Sequence, residues 1–387
     1  MKKRILSILL IMMIITGCIP AIVFAAPTHI LALGDSITTG YGLENAETES
    51  FIGLLGKDYT VTNKAINGNT IMGIAAQIKN GTITEQEIAS ADIITITAGG
   101  NEMMNLLYAK TAQLHNDNYN TNINAAAVIA AMNNLNRTNL LQNYSLLNTA
   151  KQLLGKNNPN YLPNSEEFTS TLIQYHQTLF EVTTLLRKVN PNVQIIVATQ
   201  YNPYIEFADN QMLHFFYEGI EEAVSQLNGI ITTGASLGGY RVADVKTAFQ
   251  SEHSDQKDLY NANAAISAIN LDFHPNANGH AVLANVFHSS IEKSIASSPS
   301  SIVFSADANY TRAQMITLLW RAAGSPTPRN TEAIFSDVPA NSHYHSAVLW
   351  AAENSITAGT SATTFSPDAN CSQSQINTFI WRFLHRK

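Results

Sequence analysis

Three short apolar runs punctuate the chain: His29-Ile30-Leu31-Ala32-Leu33, Ile93-Ile94-Thr95-Ile96-Thr97 and Val193-Gln194-Ile195-Ile196-Val197-Ala198-Thr199. Each is short and bounded by polar residues or glycine, the form of a strand buried on both faces. Between them the spacing changes. Phe168, Leu172, Tyr175, Leu179, Val182, Leu186 and Val189 recur three or four residues apart, which predicts an amphipathic helix from about Glu166 to Val189. Strands alternating with helices imply a mostly parallel sheet covered on both faces. The Asn-rich segment 105–165 carries helical pieces such as Ala125 to Met132 and reads as an insertion between two core elements. It is either a helical decoration or a lid or substrate wall.

The N-terminus has another pattern. Lys2, Lys3 and Arg4 precede an apolar stretch from Ile5 to Ile15, and Val23-Phe24-Ala25 offers small residues where a signal peptidase reads. Residues 1–25 are therefore expected to be an export signal. An uncleaved anchor is the alternative, as is lipidation at Cys18 within Ile15-Thr16-Gly17-Cys18. With Cys18 removed, Cys371 has no intramolecular partner, so no disulfide is expected. A net charge of -7 gives no sign of a nucleic-acid partner. No Cys/His cluster has metal-ligand spacing, and neither metal nor cofactor is expected.

Near the C-terminus, Ser297-Ser298-Pro299-Ser300-Ser301 reads as a linker. Beyond it the chain repeats. Phe304-Ser305-Ala306-Asp307-Ala308-Asn309 matches Phe365-Ser366-Pro367-Asp368-Ala369-Asn370, and Gln314 and Trp320-Arg321 match Gln375 and Trp381-Arg382, all at an offset of 61 residues. Met315, Leu318, Leu319 and Ala322 form an apolar helical stripe that needs a partner.

Candidate chemistry begins directly after the first strand, at Gly34-Asp35-Ser36. A serine there sits at the carboxyl edge of a parallel sheet, where open α/β proteins place their sites. Three further blocks follow: Asn63-Lys64-Ala65-Ile66-Asn67-Gly68-Asn69-Thr70, Ala98-Gly99-Gly100-Asn101-Glu102 after the second strand, and Asp272-Phe273-His274-Pro275-Asn276 before a helical stretch from Gly279 to Phe287. In order and spacing the four blocks resemble those of the SGNH (GDSL) hydrolases, over about residues 27 to 295. Tyr201-Asn202-Pro203 is similar to the lipase-like esterases among them. The resemblance implies a three-layer α/β/α, flavodoxin-like fold and a serine esterase or lipase. It assigns Ser36 as nucleophile and His274 as its base. The Ser36 and Gly68 N–H groups and the Asn101 amide become an oxyanion hole.

Two positions depart from the family pattern. Glu102 stands where the third block usually has a structural aspartate. The family's triad aspartate usually lies three residues before the histidine, where this chain has Leu271; Asp272 is two before His274. Either Asp272 orients the imidazole through a shifted backbone, or a backbone carbonyl does so in a Ser-His dyad. His280 is expected on a helix surface without a role.

Phe335-Ser336-Asp337-Val338-Pro339, a helical segment from Ser346 to Glu353, a turn at Gly359, and Phe365-Ser366-Pro367-Asp368 together resemble a surface-layer homology (SLH) repeat. Thr311-Arg312-Ala313-Gln314 is similar to that family's Thr-Arg-Ala-Glu signature. The resemblance implies a small all-α module over 302–387, one full repeat and part of another. It implies binding to a secondary cell-wall polymer, with Arg312 gripping an anionic sugar substituent. The second copy, Ser372-Gln373-Ser374-Gln375, lacks the arginine. The expectation is thus a secreted or cell-surface ester hydrolase acting on a lipid or an acylated carbohydrate. A carbohydrate O-deacetylase of the same fold, or a non-catalytic wall-binding protein, is the alternative.

Overall fold

A computed structural model describes residues 28–136, 138–254, 258–265, 269–296, 311–323, 326–329, 334–342 and 344–384. The expected export signal with Cys18, the linker 297–301 and the first repeat's Phe304 to Asn309 lie outside the described residues.

The sheet has five parallel strands: β1 (His29–Leu33), β2 (Thr60–Asn63), β3 (Ile93–Ile96), β4 (Gln194–Ala198) and β5 (Arg241–Ala243), in the order β2-β1-β3-β4-β5. The central strands are the apolar runs, since a strand covered on both faces has no polar side to alternate with. The two edge strands are short and carry polar or half-exposed residues, so the apolar-run reading gave no sign of them. The chain order reverses between β1 and β3, which opens a crevice at their carboxyl ends.

The helices in chain order are α1 (Ser36–Thr39), α2 (Ala46–Glu49), α3 (Phe51–Leu55), α4 (Ile71–Lys79), α5 (Glu85–Ser90), α6 (Gly100–Tyr119), α7 (Ala125–Asn133), α8 (Tyr144–Leu154), α9 (Glu166–Val189), α10 (His214–Gly238), α11 (Val245–Ser254) and α12 (Ala277–Ala296). Helix α9 shows why the periodic segment became a helix of that length. The Ser165 side chain accepts from the Phe168 N–H, Glu166 and Glu167 occupy the first turn, and Arg187 and Lys188 the last, each on the side that the helix dipole favours. Its buried stripe, from Phe168 to Leu186, faces inward. Helix α9 lies against α4 and α10, and α12 lies against α3 and α11, giving the two outer layers. Helices α7 and α8, within the expected insertion, both lie along α6.

Three more helices follow: α13 (Arg312–Ala322), α14 (His345–Glu353) and α15 (Gln373–Leu384). Helices α13 and α15 start 61 residues apart, the offset of the sequence repeat. They contact each other, α13 also contacts α10, and α15 contacts α9. Among the described residues no helix is long and apolar enough to cross a membrane.

Candidate active site

The chain leaves β1 through Gly34, whose φ is +156°. A Cβ there would come within 2.2 Å of the Thr97 hydroxyl oxygen and 2.8 Å of the Thr97 carbonyl oxygen, so no larger residue fits the turn. Asp35 then caps α1, its Oδ1 accepting from the Ile37 N–H at 3.0 Å and from the Thr97 hydroxyl at 3.1 Å. Burial pushes this carboxyl up to about 6, even though both hydrogen bonds favour the ionised form. Ser36 is the first residue of α1, where a backbone N–H has no acceptor within the helix. The cap therefore fixes both the serine side chain and its free N–H at the mouth of the β1/β3 crevice.

His274 reaches this turn from the other end of the sequence. Its Nε2 lies 2.9 Å from Ser36 Oγ, and its Nδ1 lies 2.5 Å from Asp272 Oδ1. Asp272 is the lone carboxylate in that pair, so it accepts, Nδ1 carries the proton, and Nε2 is left to receive the serine's. The two-residue spacing has a local explanation. Asp272 Oδ1 also accepts from the His274 backbone N–H at 3.1 Å, closing an Asx turn that curls the histidine back over its own aspartate. Asn261 steadies the far oxygen, donating to Asp272 Oδ2 at 3.0 Å, and its N–H donates to the His274 carbonyl at 3.0 Å. Burial alone would raise the Asp272 carboxyl, but the hydrogen bonds and charge of His274, with help from Asn261, carry it below the ordinary carboxylate value. The imidazole sits between two rings, with Phe273 centred at 4.5 Å and Tyr41 at 4.8 Å.

The Gly68 turn is fastened to the serine turn from several sides. The Ile66 N–H donates to the Gly34 carbonyl at 3.1 Å, and the Thr39 hydroxyl donates to Asn67 Oδ1. Gly68 has φ +74° and is exposed, and a Cβ there would meet no protein atom within 4 Å. The glycine thus serves its left-handed backbone and leaves open space outside it. Asn101, on the first turn of α6, donates from Nδ2 to the Asn69 carbonyl at 2.8 Å and lies 3.4 Å from Asp35 Oδ2. The neighbouring Glu102 accepts from the Ile71 N–H at 2.6 Å, and burial pushes its carboxyl up to about 7.

Ser36, Gly68, Asn101, His274 and Asp272 thus meet at one edge of the sheet. Two other positions do not follow the expectations. His280 is buried rather than on a helix surface; its Nδ1 accepts from the Phe51 N–H at 3.2 Å, and burial pulls its pKa down to about 4. Arg312 was expected to grip a wall polymer, which needs a guanidinium at the surface. It is 3% exposed, its Nε donates to the Phe365 carbonyl at 2.7 Å, and it lies over the Phe365 and Phe379 rings at 4.9 and 5.2 Å. Motif matching missed Tyr41, Asn261 and the apolar side chains beside Ser36, namely Met103, Met104, Ile220, Val224 and Phe273, which line a small pocket of about 50 Å³. Only the block that contains Phe273 offered a hint.

The profile of the GDSL-like lipase/acylhydrolase family matches residues 32–282. The chain belongs to that family. The S-layer homology domain matches residues 334–376. A curated relative, the uncharacterized protein YpmR of Bacillus subtilis (strain 168), is 22% identical over 275 residues, 68% of this chain and 81% of its own. Among solved structures, phospholipase A1 from Streptomyces albidoflavus NA297 is similar at 18% identity and a TM-score of 0.43, over 68% of this chain and 99% of that one. A family 3 carbohydrate esterase of Clostridium thermocellum is similar at 17% identity and a TM-score of 0.36, over 70% of this chain and 98% of its own.

In this member Asp35 is the hub: through Thr97 and Asn101 it links the serine turn to the ends of β3 and α6. Glu102 stands where the family usually has aspartate, and its longer side chain spans to the Ile71 N–H at the start of α4.

Proposed function

We propose that this GDSL-like hydrolase cleaves carboxylic esters by nucleophilic catalysis at Ser36, and that it does so at the cell surface. The observation that carries the reading is the hydrogen-bonded chain from Ser36 Oγ through His274 to Asp272. His274 takes the serine proton as Oγ attacks the ester carbonyl, and Asp272 steadies the imidazolium that forms. The negative oxygen of the tetrahedral intermediate is received by the Ser36 and Gly68 N–H groups and by the Asn101 amide, which turns from its long 3.4 Å contact with Asp35 to do so; one such donor is worth roughly 3 kcal/mol of barrier. His274 then returns the proton to the leaving alcohol, and water repeats the sequence on the acyl-serine. The apolar wall beside Ser36 favours an acyl ester over an O-acetylated sugar.

The hydrolase unit spans residues 27–295, and the S-layer homology segment within 302–387 holds it to a secondary cell-wall polymer. The test is hydrolysis of p-nitrophenyl butyrate by the full chain, with and without a serine-reactive phosphonate, beside co-sedimentation with wall sacculi. Turnover that the phosphonate does not block would overturn Ser36 as nucleophile. Failure to pellet would overturn the wall attachment alone.

A further inference from the structure

Two rings pack against the His274 imidazole, and they differ in where else they face. Phe273 also lines the apolar pocket beside Ser36, whereas Tyr41 stands outside that pocket. The Tyr41 ring is centred 4.8 Å from the imidazole and is 53% exposed. Its backbone, in contrast, is tied to the nucleophile. The Tyr41 N–H donates to the Ser36 carbonyl at 3.0 Å. Glycines with left-handed backbones flank it, Gly40 at φ +75° and Gly42 at φ +89°. A Cβ on Gly40 would come within 2.6 Å of the Ser50 Cβ, so a larger residue there would push the turn off the body of the domain. The turn that presents Ser36 therefore also presents an aromatic ring, with one side on the catalytic base and the other in water.

We propose that Tyr41 is a specificity-determining residue for the alcohol half of the ester. The proposal rests on the esterase reading above. As the bond between the ester carbon and the alcohol oxygen breaks, that oxygen takes its proton from His274 Nε2, so it lies within hydrogen-bond reach of the imidazole. The acyl half, on the other side of the reacting carbon, faces the pocket that Phe273 lines. The alcohol half is left with the ring outside the pocket, and lies against Tyr41. Esters of alcohols with a flat apolar face, of the benzyl class, are then preferred to those of small alkyl alcohols. Such an alcohol covers the exposed side of the Tyr41 ring, adding a ring–ring contact to the burial of apolar surface.

The test is kcat/KM of the full chain on the butyrate esters of benzyl alcohol and ethanol, two alcohols of similar acidity that differ in the ring. Wild type should favour the benzyl ester by about tenfold. Tyr41→Ala, and Tyr41→Leu, which keeps apolar bulk without a flat face, should each lower the benzyl/ethyl ratio by about fivefold. Tyr41→Phe, which keeps the ring, should hold that ratio within about twofold, as should Tyr144→Ala, an equally exposed aromatic outside the site. The butyrate/acetate ratio on p-nitrophenyl esters, which varies the acyl half alone, should stay within about twofold throughout. Each ratio is taken within one variant, so a loss of folded protein cancels. A benzyl/ethyl ratio that moves by less than about twofold in both Tyr41→Ala and Tyr41→Leu would overturn the assignment while leaving the esterase intact. An equal shift in the butyrate/acetate ratio would put the ring on the acyl side and overturn it too. A wild type that cleaves no ester at all would remove the esterase reading, and the role of Tyr41 with it.

Discussion

The serine edge of the sheet and the C-terminal repeat use polar side chains in opposite directions. At the serine edge, Asp35 takes the Thr97 hydroxyl and Asn63 donates to the Thr38 carbonyl, joining turns to one another, while Ser36 Oγ meets His274 Nε2 and the Gly68 backbone is exposed. In the C-terminal repeat the charged motif residues turn inward. Phe365 receives Arg312 on its carbonyl and gives its N–H to Asp337 Oδ1, both at 2.7 Å, while Asp337 Oδ2 takes the Ser366 N–H at 2.7 Å. The difference follows from what surrounds each loop. Five strands settle the backbone around Ser36 by ladder bonds. Among the described residues the Phe365 loop has no strand ladder, so side chains satisfy its N–H and C=O groups. A motif residue on a sheet edge is free for chemistry; one in a small helical module is more readily taken up by the fold.

The sharpest way to break that contrast is at the serine edge. Ser36→Ala and His274→Ala should each lower kcat/KM by roughly 10⁴-fold or more, with unchanged far-UV circular dichroism, and the double variant should be little worse than either. Near-wild-type turnover in a folded Ser36→Ala protein would end the assignment. Next comes Asp272→Asn, which keeps the shape of the Asx turn and loses the charge. A fall of roughly 10³-fold in kcat is expected, as an amide no longer fixes the tautomer. A drop of only a few-fold would mean that a backbone carbonyl orients His274 and the site is a dyad.

Arg312→Ala should act on the other side of the comparison. Esterase turnover should stay within about twofold, while the C-terminal helices lose about 1–3 kcal/mol from the bond to Phe365 and the ring contacts. Thermal unfolding followed at the tryptophans would read this. If Arg312→Ala abolishes wall binding without any change in unfolding, the guanidinium reaches the polymer after all. Deleting residues 297–387 should likewise leave kcat/KM within about twofold, but lower Tm, since the faces of α9 and α10 that meet α15 and α13 would open to water.

The smallest effect concerns pH. The carboxyls of Asp35 and Glu102 are raised on folding, to about 6 and about 7. The folded chain therefore binds more protons than the unfolded chain above the ordinary carboxylate range. Their contribution is full below that range, and stability falls as pH rises through about 6 and about 7. Glu102→Gln, which keeps an acceptor for the Ile71 N–H, should flatten the upper part of that slope. Denaturant midpoints across the range check it; an unchanged slope would show that Glu102 is not protonated there.

The central strands were legible because burial on both faces leaves a continuous apolar run, as in Ile93 to Ile96. Thr60 to Asn63 was not, because an edge strand needs no such run and Thr-Val-Thr-Asn carries little of that signal. Ser36, Gly68, Asn101 and His274 could be found from their blocks, since each block is a local turn whose residues decide its shape. The contact of Asp272 with the His274 ring depended on an Asx turn that spacing alone does not reveal, and Asn261 enters only through the fold. The buried setting of Arg312 was hidden for a related reason: its surroundings come from Phe365 and Phe379, more than fifty residues away in the chain.

The Asx turn at Asp272 has a consequence for how this site could be altered. Because one carboxylate oxygen holds both the main-chain N–H and the ring of His274, Asp272 and His274 form a three-residue cassette. Any shift of the segment carries the two together, so their pairing survives while the reach to Ser36 changes. Loop libraries built on either side of residues 272–274 can therefore retune the approach to the nucleophile without retuning the polarity of the imidazole. Chains that place the aspartate on a separate element would have to re-establish that pairing after every such change.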